Sequence, residues 1–286
     1  MYIAENWKDY ELLDTSDGER LERWGKYILI RPDPQVIWKG KREHKLWDKA
    51  DGIYRRSNKG GGAWVKNDIP EKWTIGYNDL TFNLKPMGFK HTGLFPEQAA
   101  NWDWFSRLIA ERKKQGKSVK VLNLFAYTGG ATAAAAKAGA EVVHVDASKG
   151  MVLQAKENLA SSGLADAPVR YIVDDCRKFV EREIRRGNKY DGIIMDPPSY
   201  GRGPGGEVWK LEDAVCDFVS LCEKVISDDP LFMLINSYTT GLQPGVIANI
   251  LALIFGKGGV EADEIGVPTE EGIVLPCGAS GFKIFN

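Results

Sequence analysis

The stretch Val119-Lys-Val-Leu-Asn-Leu-Phe-Ala-Tyr-Thr-Gly-Gly-Ala-Thr132 decides the fold of this chain. It opens with a short apolar run, Val119 to Phe125, that is typical of a buried β-strand. The run breaks at Thr128-Gly129-Gly130, and a helix of small residues, Ala131 to Ala138, is predicted to follow. A strand, a glycine turn and a helix in this order form a site for a nucleotide-like ligand. The glycines let the ligand approach the backbone, and the helix N-terminus offers unpaired N–H groups.

The next predicted strand, Glu141-Val-Val-His-Val145, ends in Asp146. An acid at the end of the second strand is placed to accept hydrogen bonds from ribose hydroxyls. The chain has Thr-Gly-Gly-Ala-Thr where dinucleotide-binding proteins have Gly-x-Gly-x-x-Gly, and it has no Gly-Lys-Ser/Thr phosphate loop. These patterns favour S-adenosylmethionine, which carries ribose and adenine but no phosphate, over NAD or ATP.

Composition is that of an ordinary globular protein: 286 residues, 43% hydrophobic and 27% charged, enough for one large or two modest domains. A net charge of −1 creates no whole-molecule field that would attract nucleic acid. Residues 39–72 nevertheless hold ten Lys or Arg against five acids, a local excess of five positive charges. This basic segment is interpreted either as a solvated domain face or as an RNA-facing surface.

The four cysteines (Cys176, Cys216, Cys222 and Cys277) form no C-x-x-C pair, and the three histidines are scattered. This pattern predicts a reduced intracellular protein without a metal site. No signal peptide is visible, and no apolar run approaches the ~20 residues of a membrane span. We therefore expect a soluble cytoplasmic protein with no membrane partner, and we leave its oligomeric state open, a homodimer included.

Residues 1–95 differ in amino-acid composition from the rest of the chain, since eight of the nine tryptophans precede residue 105. Short β-type runs alternate with turns, and Asn78-Asp79 is predicted to close a hairpin. Gly60-Gly61-Gly62 is interpreted as a flexible tip. We predict a β-rich N-terminal domain with a linker over 1–95, whose aromatic residues fill its core rather than stack on bases.

Residues 96–286 show a regular alternation of strands and helices that predicts an S-adenosylmethionine-binding α/β domain. A helix over about 99–115 leads into the first strand. Further strands are predicted near 141–145, 169–173, 191–195, 231–236, 261–267 and 281–285, and helices near 131–139, 149–162, 175–187, 210–227 and 243–255. Continuous apolar strands indicate a parallel sheet covered on both faces. The expected fold is a doubly wound, mainly parallel, seven-stranded Rossmann-like sheet that finishes with an antiparallel C-terminal hairpin.

Polar residues follow four consecutive strands of this predicted sheet. The first strand ends in Tyr127-Thr-Gly-Gly130 and the second in Asp146, the third ends in Asp174-Asp175, and the fourth ends in Asp196-Pro-Pro-Ser-Tyr200. Capping of the next helix explains one such acid, and one of Asp174 and Asp175 is expected to do only that. The set as a whole indicates a cofactor site, because ligands bind at the carboxyl ends of parallel strands.

The fourth motif indicates the substrate. Its two prolines fix the backbone and supply no N–H, which leaves carbonyl groups to face a planar amine or the edge of a base. The Asp196 carboxylate accepts a further hydrogen bond, and Tyr200 is suited to stack on a flipped-out base. The alternative interpretation is an ordinary strand-ending turn.

From about Thr81 to the C-terminus, the chain resembles class I S-adenosylmethionine-dependent methyltransferases, and most closely the 23S ribosomal RNA cytosine-5-carbon methyltransferase family. The matching motifs are Phe89-Lys-His-Thr-Gly-Leu-Phe-Pro-Glu-Gln98, Leu122-Asn-Leu-Phe-Ala-Tyr-Thr-Gly-Gly130, Val145-Asp-Ala-Ser148, Val173-Asp-Asp175, Met195-Asp-Pro-Pro-Ser199 and the closing Leu-Pro-Cys-Gly-Ala-Ser-Gly-Phe.

The resemblance implies a role for each motif. Tyr127, Thr128 and Gly129 would hold the methionine part of the cofactor, and Asp146, followed by Ala147, the ribose. Asp175, next to Asp174, would meet the adenine amino group. Asp196, Pro197, Pro198, Ser199 and Tyr200 would lie beside the transferred methyl group. Phe95 and Gln98 would cover the cofactor.

Two departures from the family matter. Relatives that methylate a pyrimidine carbon use a cysteine in a Ser-Cys-Ser type segment after the fifth strand, and here the equivalent segment, Leu234-Ile-Asn-Ser-Tyr-Thr-Thr240, has none. A serine hydroxyl is too weakly acidic to replace a thiolate. Either Cys176 or Cys277 would have to act, or the target is a nitrogen or an oxygen. The N-terminal segment also shows no match to the RNA-binding module that precedes some family catalytic domains.

The sequence therefore predicts an S-adenosylmethionine-dependent methyltransferase that acts on a base of ribosomal RNA. Two alternatives stay open. One is a methyltransferase of the same fold that acts on a small molecule or a protein. The other is a non-catalytic RNA-binding or assembly protein that retains the cofactor site. Fold alone does not decide among them.

Overall fold

Seventeen strands and six α-helices form within residues 1–57, 61–88, 90–202, 208–239 and 241–285, the part of the chain that this computed structural model describes. The strands are β1 (Tyr2–Ile3), β2 (Tyr10–Ser16), β3 (Glu19–Trp24), β4 (Tyr27–Pro32), β5 (Gly52–Arg56), β6 (Gly62–Asn67), β7 (Trp73–Tyr77), β8 (Leu80–Leu84), β9 (Lys120–Leu124), β10 (Glu141–Asp146), β11 (Val169–Val173), β12 (Gly192–Met195), β13 (Tyr200–Arg202), β14 (Val208–Lys210), β15 (Phe232–Ser237), β16 (Val260–Pro268) and β17 (Val274–Ile284). The helices are α1 (Ala99–Lys114), α2 (Gly130–Lys137), α3 (Lys149–Ser161), α4 (Cys176–Arg186), α5 (Leu211–Glu223) and α6 (Pro244–Phe255).

The organising strand β9 lies inside an eight-stranded sheet with the order β1-β16-β17-β15-β12-β9-β10-β11. The strands from β15 to β11 in this order pair in parallel, and β17 pairs antiparallel with β15. All seven predicted strands are present, so the predicted fold class is confirmed. The eighth strand, β1, has only two residues and extends the sheet beside β16. A segment that short carries no periodicity from which a strand could be predicted.

Helices cover both faces of this sheet, as its continuous apolar strands indicate. On one face, α4, α5 and α6 bury a cluster that includes Phe179, Phe218 and Ile247. On the other, Phe105 of α1 stacks on Phe232 of β15, and Trp104 of α1 stacks on Phe282 of β17. The wide apolar core on each face holds the strands in place, so their ends form a fixed rim.

The strand register brings the four polar motifs to a single edge of the sheet. Val145 of β10 and Met195 of β12 both lie opposite Leu124 of β9, and Asp146 lies opposite Val173 of β11. The chain runs from β9 to β10 and β11 in one direction, then crosses to β12 and β15 on the other side. The switch point therefore lies between β9 and β12, which is where such sheets bind ligands.

The N-terminal residues form a five-stranded sheet, β2-β3-β4-β5-β6, and the separate hairpin β7-β8. Asn78, with a φ of 51°, turns this hairpin, and Tyr77 pairs with Leu80 as predicted. Trp24, Trp47 and Trp73 are buried, in agreement with a core role for the aromatic residues. Several residues of the sequence predictions lie outside the described residues: Lys59 of the basic segment, Gly60 of the glycine tip, Phe89 of the linker motif and Thr240.

The described chain divides into two compact units that are not contiguous in sequence. One unit contains residues 3–100 and 266–277, and the other contains residues 1–2, 101–265 and 278–286. The loop between β16 and β17 thus belongs with the N-terminal sheet rather than with the eight-stranded sheet. The sequence division at residue 95 stays a prediction.

Candidate active site

The turn after β9 is a left-handed backbone segment. Phe125 and Tyr127 have φ values of 55° and 51°, and Gly129, with a φ of 82°, caps the N-terminus of α2. A Cβ on Gly129 would lie 2.8 Å from the Cβ of Ala155 on α3, so the position admits no side chain. Left-handed non-glycine residues are uncommon, and they cluster at ligand sites. The glycine predicted from sequence is therefore required by the packing of α3 as well as by its backbone angle.

Asp146 connects the first two strand ends. Its Oδ2 accepts the backbone N–H of Tyr127 at 2.8 Å, and its Oδ1 accepts that of Ser148 at 2.8 Å. Burial raises the pKa of Asp146, and these two hydrogen bonds oppose the rise. Each carboxylate oxygen has a second lone pair, so the group still has capacity for ribose hydroxyls. Ala147, which follows, is exposed on the same rim.

A buried polar cluster lies beneath the turn, and the sequence analysis missed it. The Thr132 hydroxyl of α2 lies 2.9 Å from Nδ2 of Asn123 on β9 and 2.9 Å from Nδ1 of His144 on β10. Nearby, the side-chain amide of Asn158 on α3 donates to the Thr128 carbonyl at 2.8 Å. Polar residues inside otherwise apolar strands were the available signal. These contacts fix the turn from below, because buried polar groups keep their hydrogen-bond partners.

Asp174 and Asp175 follow β11 and have different partners. The Asp175 Oδ1 accepts the Lys178 N–H at 2.9 Å and caps α4, which begins at Cys176. Asp174 forms an ion pair with Arg182, and its backbone N–H donates to the Asp146 carbonyl at 3.1 Å. The capping role expected of one of the two acids belongs to Asp175. The assignment of either acid to adenine stays a prediction.

Asp196 stands at the carboxyl end of the central strand β12. Its backbone N–H donates to the Leu124 carbonyl of β9 at 3.4 Å, and its Oδ1 accepts the side-chain amide of Asn236 on β15 at 3.0 Å. Pro197 is buried, whereas Pro198 and Ser199 are exposed. The strand pairing and the two prolines fix this loop at the switch point of the sheet.

Some carbonyl groups of the Asp-Pro-Pro-Ser motif already accept hydrogen bonds within the protein. Fewer of them are therefore left to face a substrate than the sequence suggests. The Pro198 carbonyl accepts the indole N–H of Trp209 at 2.7 Å, and the Ser199 carbonyl accepts the Leu211 N–H at 3.0 Å. The Pro197 carbonyl accepts no hydrogen bond from the described residues. Of these three carbonyl groups, that of Pro197 therefore remains for a substrate.

Two short strands, β13 and β14, pair directly after this motif and position Tyr200 and Trp209. Tyr200 is 52% exposed at the base of the hairpin. Trp209 packs between Phe125, which follows β9, and Phe218 of α5, with ring centroids 5.5 and 5.7 Å away. The indole thus links the Asp196-Pro-Pro-Ser199 segment (the acceptor motif) to the turn that follows β9 (the cofactor turn). The sequence analysis did not identify Trp209, because nothing in its neighbours marks it.

The cysteines near the site do not resemble nucleophiles. Cys176 is 3% exposed, and its sulfur accepts the Phe125 N–H at 3.3 Å. Burial raises the pKa of the thiols of Cys176, Cys222 and Cys277 well above the usual value. Cys277 belongs to the unit that contains the N-terminal sheet. A thiol held protonated in this way is a poor nucleophile, because the thiolate is the reactive form.

Phe95 and Gln98 lie in that same unit, at a short 3₁₀ turn over Pro96–Gln98. The Gln98 N–H donates to the Phe95 carbonyl at 3.1 Å, and Trp7 donates its indole N–H to the Pro96 carbonyl at 2.9 Å. The turn is therefore held in a defined conformation. The cofactor-covering role of Phe95 and Gln98 stays a prediction.

The described residues form neither a metal centre nor a membrane-spanning helix. No group of three His, Cys, Asp or Glu side chains is arranged to hold a metal ion there. Across the same ranges, no helix has the length and apolarity that a membrane crossing requires.

The rim of the sheet thus presents Asp146, Asp174, Asp175 and Asp196 around a strained glycine turn. Hydrogen-bond acceptors suit ribose hydroxyls and an adenine amino group, and carboxylates suit a cationic sulfonium centre better than a phosphate. The fold and this set of hydrogen-bond acceptors define an enzyme that binds a nucleoside-containing cofactor on a Rossmann-like sheet.

A sequence model of the S-adenosylmethionine-dependent methyltransferases matches residues 23–242. The ribosomal RNA large subunit methyltransferase K/L of Pseudoalteromonas atlantica is 34% identical over 218 residues, which cover 69% of this chain and 30% of that protein. The ribosomal RNA large subunit methyltransferase I of Photobacterium profundum is 32% identical over 153 residues, 53% of this chain and 36% of that protein. The chain thus spans about a third or less of the curated relatives it matches.

A crystal structure of an S-adenosylmethionine-dependent methyltransferase from Agrobacterium tumefaciens has the same fold over nearly the full length. The TM-score is 0.89 at 34% identity, and the match covers 97% of this chain and 90% of that one. The chain therefore belongs to the S-adenosylmethionine-dependent methyltransferases, and its cofactor is S-adenosylmethionine. The resemblance deduced from the strand-end motifs is confirmed at this level.

Proposed function

We propose that this protein transfers the methyl group of S-adenosylmethionine to a base of ribosomal RNA. The observation that carries the proposal is the Asp196-Pro-Pro-Ser motif at the switch point of the sheet, beside the cofactor turn. The curated relatives are named as methyltransferases of large-subunit ribosomal RNA, which supports an RNA substrate. An enzyme that methylates ribosomal RNA would act in the cytoplasm, so a cytoplasmic location is part of the proposal.

On the cofactor side, the proposed roles follow the strand ends. Tyr127, Thr128 and Gly129 hold the methionine part, and Asp146 with Ala147 holds the ribose. Asp174 and Asp175 lie where the adenine amino group would bind. Phe95 and Gln98, in the segment before α1, cover the cofactor. The domain boundary at residue 95 is likewise part of the proposal. When bound, the cofactor supplies an electrophilic methyl group, and the protein supplies orientation.

On the acceptor side, the groups of the fourth motif favour a nitrogen target. The Asp196 carboxylate and the Pro197 carbonyl are both hydrogen-bond acceptors, and an amino group donates two hydrogen bonds. Ser199 Oγ already accepts the Thr239 hydroxyl at 2.6 Å. Tyr200, exposed beside them, is available to stack on a base taken out of its helix. Burial raises the pKa of the Cys176 and Cys277 thiols, the two candidate nucleophiles, and this disfavours attack on a pyrimidine carbon.

The deciding experiment is transfer of labelled methyl from S-adenosylmethionine to protein-free large-subunit ribosomal RNA, followed by nucleoside identification. Label in an N-methylated nucleoside is the expected result. Label in 5-methylcytosine would contradict the nitrogen target and require a cysteine nucleophile. Absence of label, with the cofactor still bound, would contradict the substrate assignment and favour a small molecule, a protein or a purely binding role.

The Asp196→Ala variant tests the acceptor motif in the same assay. We expect transfer to be lost by at least about a hundredfold, because the side chain that orients the acceptor is removed. The dissociation constant of S-adenosylmethionine, measured by calorimetry, should change by less than about threefold. Turnover at the wild-type rate would refute the role of Asp196.

A further inference from the structure

Behind Asp196, three buried side chains form a relay of hydrogen bonds: Asn101, Ser280 and Asn236 each donate to the next group, and the last bond ends on the Asp196 carboxylate. The side-chain amide of Asn101 on α1 donates to the Ser280 hydroxyl at 3.0 Å, and that hydroxyl donates to Oδ1 of Asn236 at 2.8 Å. The Asn236 amide then donates to Oδ1 of Asp196 at 3.0 Å. Asn101, Ser280 and Asn236 are each at most 1% exposed.

The strand register places the middle of this relay. Asn236 of β15 lies directly opposite Ser280 of the antiparallel strand β17, so their side chains meet on one face of the sheet. Asn101, in the first turn of α1, reaches the same hydroxyl from above the sheet. Three elements that are far apart in sequence therefore converge on the side chain of Asp196.

The direction of the relay determines which end of each group faces the next. A hydroxyl that accepts from the Asn101 amide has its own proton available for the Asn236 oxygen. Asn236 is then oriented with its NH₂ group toward Asp196, and the reversed amide would set two acceptors against each other. The bond to the carboxylate is charge-assisted and part-buried, which makes it stronger than a neutral one.

We propose that Ser280 and Asn236 are positioning residues that hold the Asp196 carboxylate for catalysis. The prolines after Asp196 fix its backbone but leave its side-chain torsions free. The relay removes that freedom, so that one carboxylate oxygen is committed to Asn236 and the plane of the group is set before substrate binds. The inference rests on the proposed methyl transfer, in which Asp196 faces the acceptor. It also gives a function to the closing Ala-Ser-Gly motif that the sequence resemblance left unassigned.

The test compares Ser280→Ala with Ser227→Ala in the full-length enzyme. Ser227 donates to Oδ1 of Asp191 at 2.7 Å. Asp191 precedes β12, whereas Asp196 follows it. Each substitution therefore removes one hydroxyl group whose hydrogen bonds lead to an aspartate, at opposite ends of the same strand. For Ser280→Ala, we expect kcat to fall about tenfold, with the KM for RNA and the affinity for S-adenosylmethionine unchanged within twofold. Ser227→Ala should leave kcat within twofold. Equal kcat values for the two variants would overturn the proposal.

A second measurement is independent of the substrate. In protein labelled with ¹⁵N-asparagine, the side-chain NH₂ signals of Asn236 are identified as the pair that disappears in Asn236→Asp. The pair should shift and exchange faster with solvent in Ser280→Ala, and it should not change in Ser227→Ala. An unaltered Asn236 pair would overturn the relay even if the enzyme methylates RNA. Loss of RNA methylation in the wild type, with the shift present, would contradict only the proposed function.

Discussion

At the cofactor turn, one glycine satisfies two constraints at once. Gly129 needs a left-handed backbone, and a methyl group there would lie 2.8 Å from Ala155. Gly163 has a similar φ of 70° but nothing within 4 Å of its Cβ position. Replacement of Gly163 by alanine should therefore cost only the backbone strain of about 1 kcal/mol.

Gly129→Ala should lower the free energy of unfolding by that strain and by a further ~1–3 kcal/mol for overpacking against α3. It should also weaken S-adenosylmethionine binding, because the turn must shift to relieve the contact. Urea denaturation gives the first quantity and calorimetry the second. Equal reductions of stability in Gly129→Ala and Gly163→Ala would show that α3 does not constrain the turn.

His144 predicts a dependence of stability on pH. Burial lowers its pKa from 6.5 to about 4. As the pH falls from about 6.5 to 4, the unfolded chain binds a proton that the folded protein does not, so the folded state loses about 1.4 kcal/mol per pH unit. Burial and the charge of Arg31 lower the pKa of His91 to about 4 as well. His91 therefore adds a slope of the same sign over the same pH window.

The variant His144→Asn should therefore reduce the slope of unfolding free energy against pH, between pH 6.5 and 5, by roughly half or more. Removing both histidines should flatten that part of the profile. Urea denaturation at several pH values supplies the measurement. A slope identical to that of the wild type would mean that His144 does not stay neutral in the folded protein.

At the scale of elements, the β13-β14 hairpin is the link between the acceptor motif and the cofactor turn. Trp209→Phe keeps an aromatic ring between Phe125 and Phe218 but removes the hydrogen bond to the Pro198 carbonyl. A neutral hydrogen bond contributes about 1 kcal/mol, so kcat is expected to fall roughly fivefold.

Trp104→Phe, on α1, is the matched control. Trp104 packs on Phe232 and Phe282, and the same substitution there touches neither the acceptor motif nor the cofactor turn. Methyl-transfer kinetics and thermal unfolding should separate the two variants: both lose some packing, and only Trp209→Phe loses turnover. A Trp209→Phe enzyme with wild-type kcat would contradict the linking role of the hairpin.

The closing strand β17 shows how much an element depends on small residues. A Cβ on Gly281 would lie 2.3 Å from Ile247 of α6, and one on Gly278 would lie 2.5 Å from the Ser237 carbonyl. The sequence indicated a strand only from Gly281, because glycine and proline precede it. The observed strand begins at Val274. Ala279 to Ile284 pair with β15, and β16 is hydrogen-bonded to the other edge of β17, so pairing on two sides compensates for the low strand propensity of those residues.

At the scale of the whole molecule, the placement of charge offers a test of the proposed RNA substrate. Arg42 and Arg55 of the basic segment both pair with Glu19, so one of their two positive charges is neutralised locally. Other cations of the segment are exposed and form no ion pair within the described chain; these are Lys39, Lys45, Lys49 and Arg56. This second set is the part of the segment that is available to phosphates.

Replacement of these four residues by glutamate should weaken RNA binding. The slope of the logarithm of the binding constant against the logarithm of the salt concentration should become shallower by about 0.7 for each phosphate that the protein no longer neutralises. The control reverses four exposed lysines at the ends of helices, on the edge of the sheet opposite the acidic rim: Lys113, Lys114, Lys224 and Lys257. Filter binding at several salt concentrations measures both. The same RNA affinity in the two quadruple variants would assign the basic segment to a solvated face.

Much of the fold follows from the sequence alone, for a physical reason. Buried parallel strands need unbroken apolar runs, and a left-handed turn needs glycine, so β9, β10, β12 and the Gly129 turn are visible as local patterns. The acids at the strand ends are visible for the same reason, because chain order fixes which residue follows each strand. S-adenosylmethionine could be selected over NAD from these residues.

Only the tertiary structure decided what joins elements that are distant in the chain. The hydrogen bond from Trp209 to Pro198, the cluster of Asn123, Thr132 and His144, and the relay from Asn101 to Asp196 all depend on strand register and helix packing. A polar residue in a strand has no local signature of its partner, since partners are set by which elements become neighbours. The sequence therefore determined the cofactor and the strand ends, and the packing determined how the Asp196 side chain is held.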